Sequence, residues 1–426
     1  MKKLFLCLTI LIVLAFGGYF IYVNYLENMF FKLEVEEIKA DINQYYIYGN
    51  HLNIDGTLKL DNIDYEKIIF ILYNGEEEEY DIDVESTDDG VKFSFSEYLN
   101  DGMYLDNLER GKYYSFLRVD YRDESDDEEI ISKYYALNNK TDYDVTTYYT
   151  LSKYNNKIVI NNDKEYGTML FNVQKNADKD ICDITIDPGH GGLDSGALFG
   201  DYKESDITMD ISLDLKKYIE KKGYSVKITH DRGDIASDKT MDQYDEHGRA
   251  VIPNEVKSKY TFSIHTNKNN SSYVNGIEIY TADGIDYEFA KSIADSIVNN
   301  TDFGYSTNKM HKRDDGVYTH NFTQSEINSS LTEYDEKGYV PYSVSTKSNY
   351  YYMIRETGGY MTGAYIDKSN PDKVGINPYY NSNVGNESYL LELGYLSNSS
   401  DLEILLNERK KIVNAIGESI VNELGK

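Results

Sequence analysis

The sequence predicts an α/β fold in its second half, an open, twisted, mostly parallel sheet flanked by helices. Before it the sequence predicts an all-β sandwich-like domain and an N-terminal transmembrane helix. Three observations carry this. After Asp180 short apolar runs alternate with amphipathic helical segments; from Phe31 to Gln174 short alternating runs follow one another between turn residues; and the chain opens on an uncharged apolar stretch.

Leu4 to Val23 is an uncharged run of about 20 residues, the length that crosses a bilayer core as a helix. Lys2 and Lys3 precede it and Glu27, Glu34, Glu36 and Glu37 follow, which places the N-terminus in the cytoplasm and the chain beyond Tyr25 outside. A cleaved signal peptide is the rival reading. No clean small-x-small site closes the run, since Ala15-Phe-Gly-Gly-Tyr19 lies inside it, so an uncleaved single-pass anchor in a bacterial cell membrane is expected.

The 426 residues hold 73 acidic and 43 basic side chains, a formal charge of -30, which excludes nucleic acid binding through the general field. Cys7 and Cys182 lie in unrelated contexts, so no disulfide framework is expected.

In the β region, Lys67 to Tyr73, the turn Asn74-Gly75 and Glu76 to Val84 form a hairpin, because Asn-Gly supplies the positive φ of a type I′ turn. Further strands are expected at Val91 to Phe95, Tyr113 to Tyr121, Lys133 to Leu137 and Lys157 to Ile160, in an Ig-like sandwich. The acidic clusters at Glu76 to Glu79 and Asp123 to Glu129 suit strand edges and loop tips. His51 reads as a surface residue, and Asn172 to Asp180 as the linker. The region carries no identifiable ligand motif and is expected to be a spacer, a wall-binding module or a protein-interaction domain.

Beyond the linker, strands are expected at Ile181 to Ile186, Tyr224 to Ile228, Lys259 to Ile264, Gly276 to Tyr280 and Tyr389 to Leu393. Ile207, Ile211, Leu215 and Ile219 recur at helical spacing between a cap at Asp206 and a stop at Gly223. A second helix runs from Tyr287 to Val298, and Ser400-Asp-Leu-Glu403 opens the last one with a capping-box pattern. Residues 300 to 388 are poorly periodic and read as an elaborated insert. The expected division is 1–30 for the anchor, 31–174 for the β domain and 175–426 for the α/β domain.

Four metal-type side chains fall at corresponding places on these elements. His190 follows the first strand, in Asp187-Pro-Gly-His-Gly-Gly192, and His265 follows the strand ending at Ile264; Glu392 lies within the last strand, and Glu204 stands just before a helix. In a parallel α/β sheet these positions share one edge, where ligands bind. Two imidazoles and two carboxylates suffice for a His, Glu, His shell with an open position and one carboxylate left for proton transfer. Each His taken alone would be an ordinary loop residue, as His230, His247, His311 and His320 are expected to be. Glu392 differs, because a carboxylate among Leu390, Leu391 and Leu393 in a buried strand is costly without a partner.

These residues resemble the zinc-dependent N-acetylmuramoyl-L-alanine amidases of the type-3 class. The match rests on Asp187 to Gly192 with Asp194, Gly196 and Ala197, on Glu204, on Asp231-Arg232, on Arg249 and Asn254, on Ser263-Ile-His-Thr-Asn267, and on Leu391-Glu-Leu-Gly-Tyr-Leu-Ser-Asn398. The resemblance covers Asp180 to the C-terminus and implies a phosphorylase/hydrolase-like sheet. It also implies one zinc ion on His190, Glu204 and His265, with Glu392 as the catalytic carboxylate, and cleavage of the amide between N-acetylmuramic acid and the L-alanine of the peptidoglycan stem peptide. Asn267, Arg249 and Arg355 are candidate substrate-binding residues. The departures are Thr266 for Ala, Tyr395 for Phe and the long stretch before Glu392.

The expected partners are peptidoglycan, the membrane through one N-terminal helix, and a protein activator or a division or sporulation partner of open identity. Two alternatives stand beside the amidase: a non-catalytic peptidoglycan-binding or scaffold protein, and a zinc amidase acting on another wall peptide.

Overall fold

The computed structural model of the chain describes residues 33–60, 64–122, 129–142, 144–164, 166–232, 248–337, 344–357 and 384–425. The expected span at Leu4 to Val23, His247 and all but the last residue of the acidic cluster Asp123 to Glu129 lie outside the described residues. Among the described residues no helix is long and apolar enough to cross a membrane.

The α/β half is built on a seven-stranded mixed sheet, in the order Val226–Ile228, Ile184–Pro188, Tyr260–Asn267, Glu387–Tyr395, Glu278–Tyr280, Val317–Tyr318, Lys312–Asp314. The first four strands are parallel to one another, and Glu278–Tyr280 runs antiparallel to Glu387–Tyr395. The central strands are buried along their length, which is why they read as continuous apolar runs. Helices Glu204–Lys221, Glu288–Asn300 and Arg409–Gly425 bury Ile211, Leu215, Ile219, Ile293, Ile297, Ile412, Ile416 and Ile420 in the core formed with Ile184, Ile186, Phe262 and Leu391.

Several local expectations are corrected here. The first helix starts at Glu204, two residues before the expected cap, and has no side-chain cap. The helix Ser399–Asn407 is capped by Asn398, whose side chain accepts from the amides of Ser400 and Asp401, so the Ser400 capping box does not form. The insert supplies two strands of the sheet, Lys312–Asp314 and Val317–Tyr318, and the helix Tyr352–Thr357. Strands this short leave no periodicity to read.

The β half departs from two separate sheets. Its twelve described strands, with Val384–Gly385 added from the other half, join into one thirteen-stranded sheet because Ala40 to Ile42 pair in parallel with Leu137 to Asn139. The strands on either side of this short parallel step still share one core, with Leu52, Ile54 and Leu58 packed in the same cluster as Phe70, Leu117 and Phe171. The expected linker begins inside a strand, Met169–Lys175.

The two halves are also stitched together. Ile47 and Tyr48 pair with Val384 and Gly385, the residues that lead into the Glu392 strand. Asn100 exchanges hydrogen bonds with the backbone of Asp286, at 2.7 and 2.8 Å, and Ser152 donates its amide to Asp183 at 2.6 Å. His51 is thereby corrected from a surface residue: burial holds its imidazole down to about 4, and its ring lies 5.4 Å from that of Tyr104.

Candidate metal centre and active cleft

The strand Ile184–Pro188 delivers the chain to His190, which takes a left-handed backbone with φ 60°. That conformation costs a residue with a Cβ about 1–2 kcal/mol, so something must hold it. Arg249 does: its Nη2 donates to the carbonyls of Pro188 at 2.8 Å and His190 at 3.0 Å, and to His230 Nδ1 at 3.1 Å. The guanidinium is itself held by Asp187, 3.0 Å from Nε in an ion pair that lacks hydrogen-bond alignment. Thr229 and Ser263 each donate a hydroxyl to Asp187 at 2.7 Å. Burial opposes the charge on Asp187, but Arg249 and these hydroxyls outweigh it and hold the carboxyl below its ordinary value.

Glu204 bridges the two imidazoles. Its Oε2 lies 3.1 Å from His190 Nε2 and its Oε1 3.1 Å from His265 Nδ1. One ligand atom from each of the three residues falls within 4.8 Å of the others, close enough for a single metal ion. The carboxylate is aimed by the amides of Ala197 at 2.9 Å and Thr266 at 3.0 Å. Asp194 Oδ2 sits 2.7 Å from His190 Nδ1, the outer carboxylate that commonly fixes the tautomer of a metal-binding histidine. Burial disfavours charge on His190, yet Glu204 and Asp194 together raise it to about 9. The pocket therefore favours a cation, and its nitrogen and oxygen donors suit zinc chemistry.

Two glycines are required by this packing. A Cβ on Gly189 would stand 2.5 Å from the His265 ring, and one on Gly196, which has φ 62°, would stand 2.5 Å from His190 and 2.7 Å from Glu204. Gly189 thus makes room for the second histidine.

Glu392 lies level with His265 on the neighbouring strand and with Glu278 on the other side. Its Oε2 is buried with no hydrogen-bond partner among the described residues. Burial first, then the charges of Glu204 and Glu278, push its carboxyl well above the ordinary range. A proton-avid carboxylate with an uncommitted lone pair, beside a metal-type pocket, is equipped for general base work.

The structure places the three substrate-binding candidates in different surroundings. Arg249 is buried and committed to the His190 turn, and Arg355 is buried with its Nη1 on the carbonyls of Asn349 and Tyr350 at 2.7 and 2.8 Å. These bonds to backbone carbonyls make both of them positioning residues for the turns they hold. Asn267 is half-buried near the cleft, its Nδ2 3.4 Å from Glu278. His230 lies in the loop after the strand Val226–Ile228, as expected, but is buried there as a partner of Arg249. Glu278 was missed, although a carboxylate between Ile277 and Ile279 invites the argument that singled out Glu392.

The family model for N-acetylmuramoyl-L-alanine amidase, Amidase_3, matches residues 184–422. Among curated proteins, the chain is 29% identical over 143 residues to the germination-specific N-acetylmuramoyl-L-alanine amidase of Bacillus subtilis, covering 32% of this chain and 59% of that protein. It is 34% identical over 100 residues to the probable cell wall amidase LytH of Staphylococcus aureus, covering 23% of this chain and 30% of that one. The match thus spans less than two thirds of either relative. Among solved structures, the amidase AmiC2 of Nostoc punctiforme is 22% identical with a TM-score of 0.36, covering 59% of this chain and 100% of that one. The CwlD amidase of Clostridioides difficile, solved in complex with the GerS lipoprotein, is 20% identical with a TM-score of 0.35, covering 57% and 98%. With its family motifs gathered on one sheet edge, the chain belongs, through residues 184–422, to the N-acetylmuramoyl-L-alanine amidase family.

Proposed function

We propose that this protein is a membrane-anchored peptidoglycan hydrolase that cleaves the amide between N-acetylmuramic acid and the L-alanine of the stem peptide, with one zinc ion on His190, Glu204 and His265. The observation that carries the reading is the unpartnered carboxyl of Glu392, set beside the one His, Glu, His group of this kind among the described residues. Zinc, when bound, lowers the pKa of a water to about 7 and polarises the scissile carbonyl. Glu392 takes the proton of the attacking water and passes it to the leaving nitrogen. Asp194 fixes the His190 ring, and Arg249 holds the turn that presents it. Family membership supports the bond class.

The test compares the full-length chain with Glu392→Gln for zinc content and for peptides with free N-terminal L-alanine released from purified peptidoglycan, identified by mass spectrometry. Zinc in both proteins and peptides only from the first is the expected result. Equal release would sink the hydrolase reading.

The uncharged run from Leu4 to Val23, behind Lys2 and Lys3, supports an anchor with its N-terminus in the cytoplasm and the catalytic half outside. Protease added to intact spheroplasts is expected to remove a C-terminal tag, and a protected tag overturns this topology.

A further inference from the structure

The hydrolytic reading leaves unused an aromatic column that runs outward from Glu392. Tyr351 meets Tyr280 edge to face, with centroids 4.6 Å apart, and its phenol is raised by burial and then by the charge of Glu392. Tyr350 stands against Tyr351 at 88° and lies flat on His320, at 4.3 Å and 10°. His320 in turn lies flat on His311, at 3.7 Å and 17°.

The column is held from several sides. His320 Nε2 is 3.0 Å from Glu326, which also accepts from the Thr323 amide at 2.8 Å and so ties the ring to the start of a helix. The Arg355 guanidinium stacks 5.4 Å over Phe322 while holding the carbonyls of Asn349 and Tyr350. Asn349 Nδ2 donates to the Thr281 carbonyl at 3.1 Å, tying the turn to the sheet. Tyr350 nonetheless remains 41% exposed. An aromatic ring fixed by its neighbours yet open to solvent is pre-organised for contact and loses little entropy on binding.

Charge selects the ligand. Burial first, then His311, holds His320 below its ordinary value, which disfavours charge on the ring in the stack. A phenol ring offers no cation to pair with a peptide carboxylate, whereas a neutral pyranose needs none. A pyranose also offers a flat face of C–H groups to an aromatic ring and keeps its hydroxyls in water.

We propose that Tyr350, backed by His320 and His311, is a saccharide platform that binds a sugar ring of the glycan strand next to the reacting residue, with Arg355 as its positioning residue. The proposal rests on the amidase reading for its substrate.

The test measures binding of an N-acetylglucosamine tetrasaccharide, which carries no peptide, to the full-length chain by calorimetry. Tyr350→Ala is expected to weaken binding about tenfold, while Tyr350→Phe, which keeps the ring, binds as the parent does. Thermal unfolding of each variant separates loss of the platform from loss of the fold. Absence of binding to the parent, equal affinity of parent and a folded Tyr350→Ala, or binding of free stem peptide in place of the sugar would overturn the platform. The same Tyr350 dependence in a protein that releases no stem peptide supports the platform and overturns only the hydrolytic reading.

Discussion

Glu278 and Glu392 stand directly opposite one another across the antiparallel pairing of their strands, two carboxylates buried in the same sheet. They are treated differently. Glu278 accepts from Tyr280 at 2.7 Å, from Ser306 at 2.6 Å and from the Tyr395 hydroxyl, whereas Glu392 Oε2 accepts nothing.

Glu392→Gln is therefore expected to lower stem-peptide release by about 10²–10⁴-fold, the usual weight of a general acid or base. Its unfolding temperature should hold, since an amide replaces a carboxyl that favours its neutral form. Glu278→Gln keeps activity but moves the limb of the kcat/KM profile governed by Glu392 to lower pH, because a neighbouring negative charge is gone. A limb that stays in place would show that Glu278 acts only in packing.

Arg249→Met leaves Asp187 buried without its cation, which costs about 3–5 kcal/mol and should be visible in a denaturant titration. Arg249→Lys retains the charge but cannot span Asp187, Pro188 and His190 together. It should fold with weakened zinc binding, read as metal retained after dialysis against a chelator.

Gly196→Ala puts a methyl group between His190 and Glu204 and strains a backbone at φ 62°. Zinc affinity is expected to fall more than tenfold while the β half is unaffected, as competition with a chromogenic chelator would measure.

Glu387, at the junction of the halves, is raised from 4.5 to about 8, by burial above all, with Glu423 and Asp286 contributing. Below pH 4.5 it is protonated in both folded and unfolded chains, and its contribution to stability is complete. From 4.5 to about 8 the unfolded chain releases a proton that the folded chain keeps, so stability falls with pH by up to about 1.4 kcal/mol per unit. Glu387→Gln should flatten that slope in unfolding curves taken across this window.

The fragment 175–426 is expected to be much less stable than the whole chain. Cutting there removes Tyr46, Tyr48, Leu99 and Leu151 from the core of the α/β half. It also strips the cover from Lys259, whose ammonium lies 4.4 Å from the Tyr148 ring centroid, and from Asp183. A fragment that unfolds with the midpoint of the full chain would contradict this.

Much of the local structure is legible in the residues themselves. The four-residue spacing of Ile207 to Ile219 names its helix because burial of one stripe is a periodic demand, and Lys67–Tyr73 names its strand as a short apolar run, buried on both faces, closed by the Asn74-Gly75 turn. The two-residue strand at Val317 and the Asn398 cap are not legible, since each is decided by a partner distant in sequence or by which of two caps wins locally.

The residues alone show His190, Glu204, His265 and Glu392 as donor types placed after strands and before a helix, the positions that share one edge of a parallel sheet. Tertiary structure decided how those residues are held and what surrounds them. It set Glu278 against Glu392, spent Arg249 and Arg355 on backbone carbonyls, drew His230 under cover and left His51 half-buried. The physical reason is that a side chain's type states what it can bind, whereas burial and the nearest partner in space state what remains free to bind. Only strand register and packing bring those partners together.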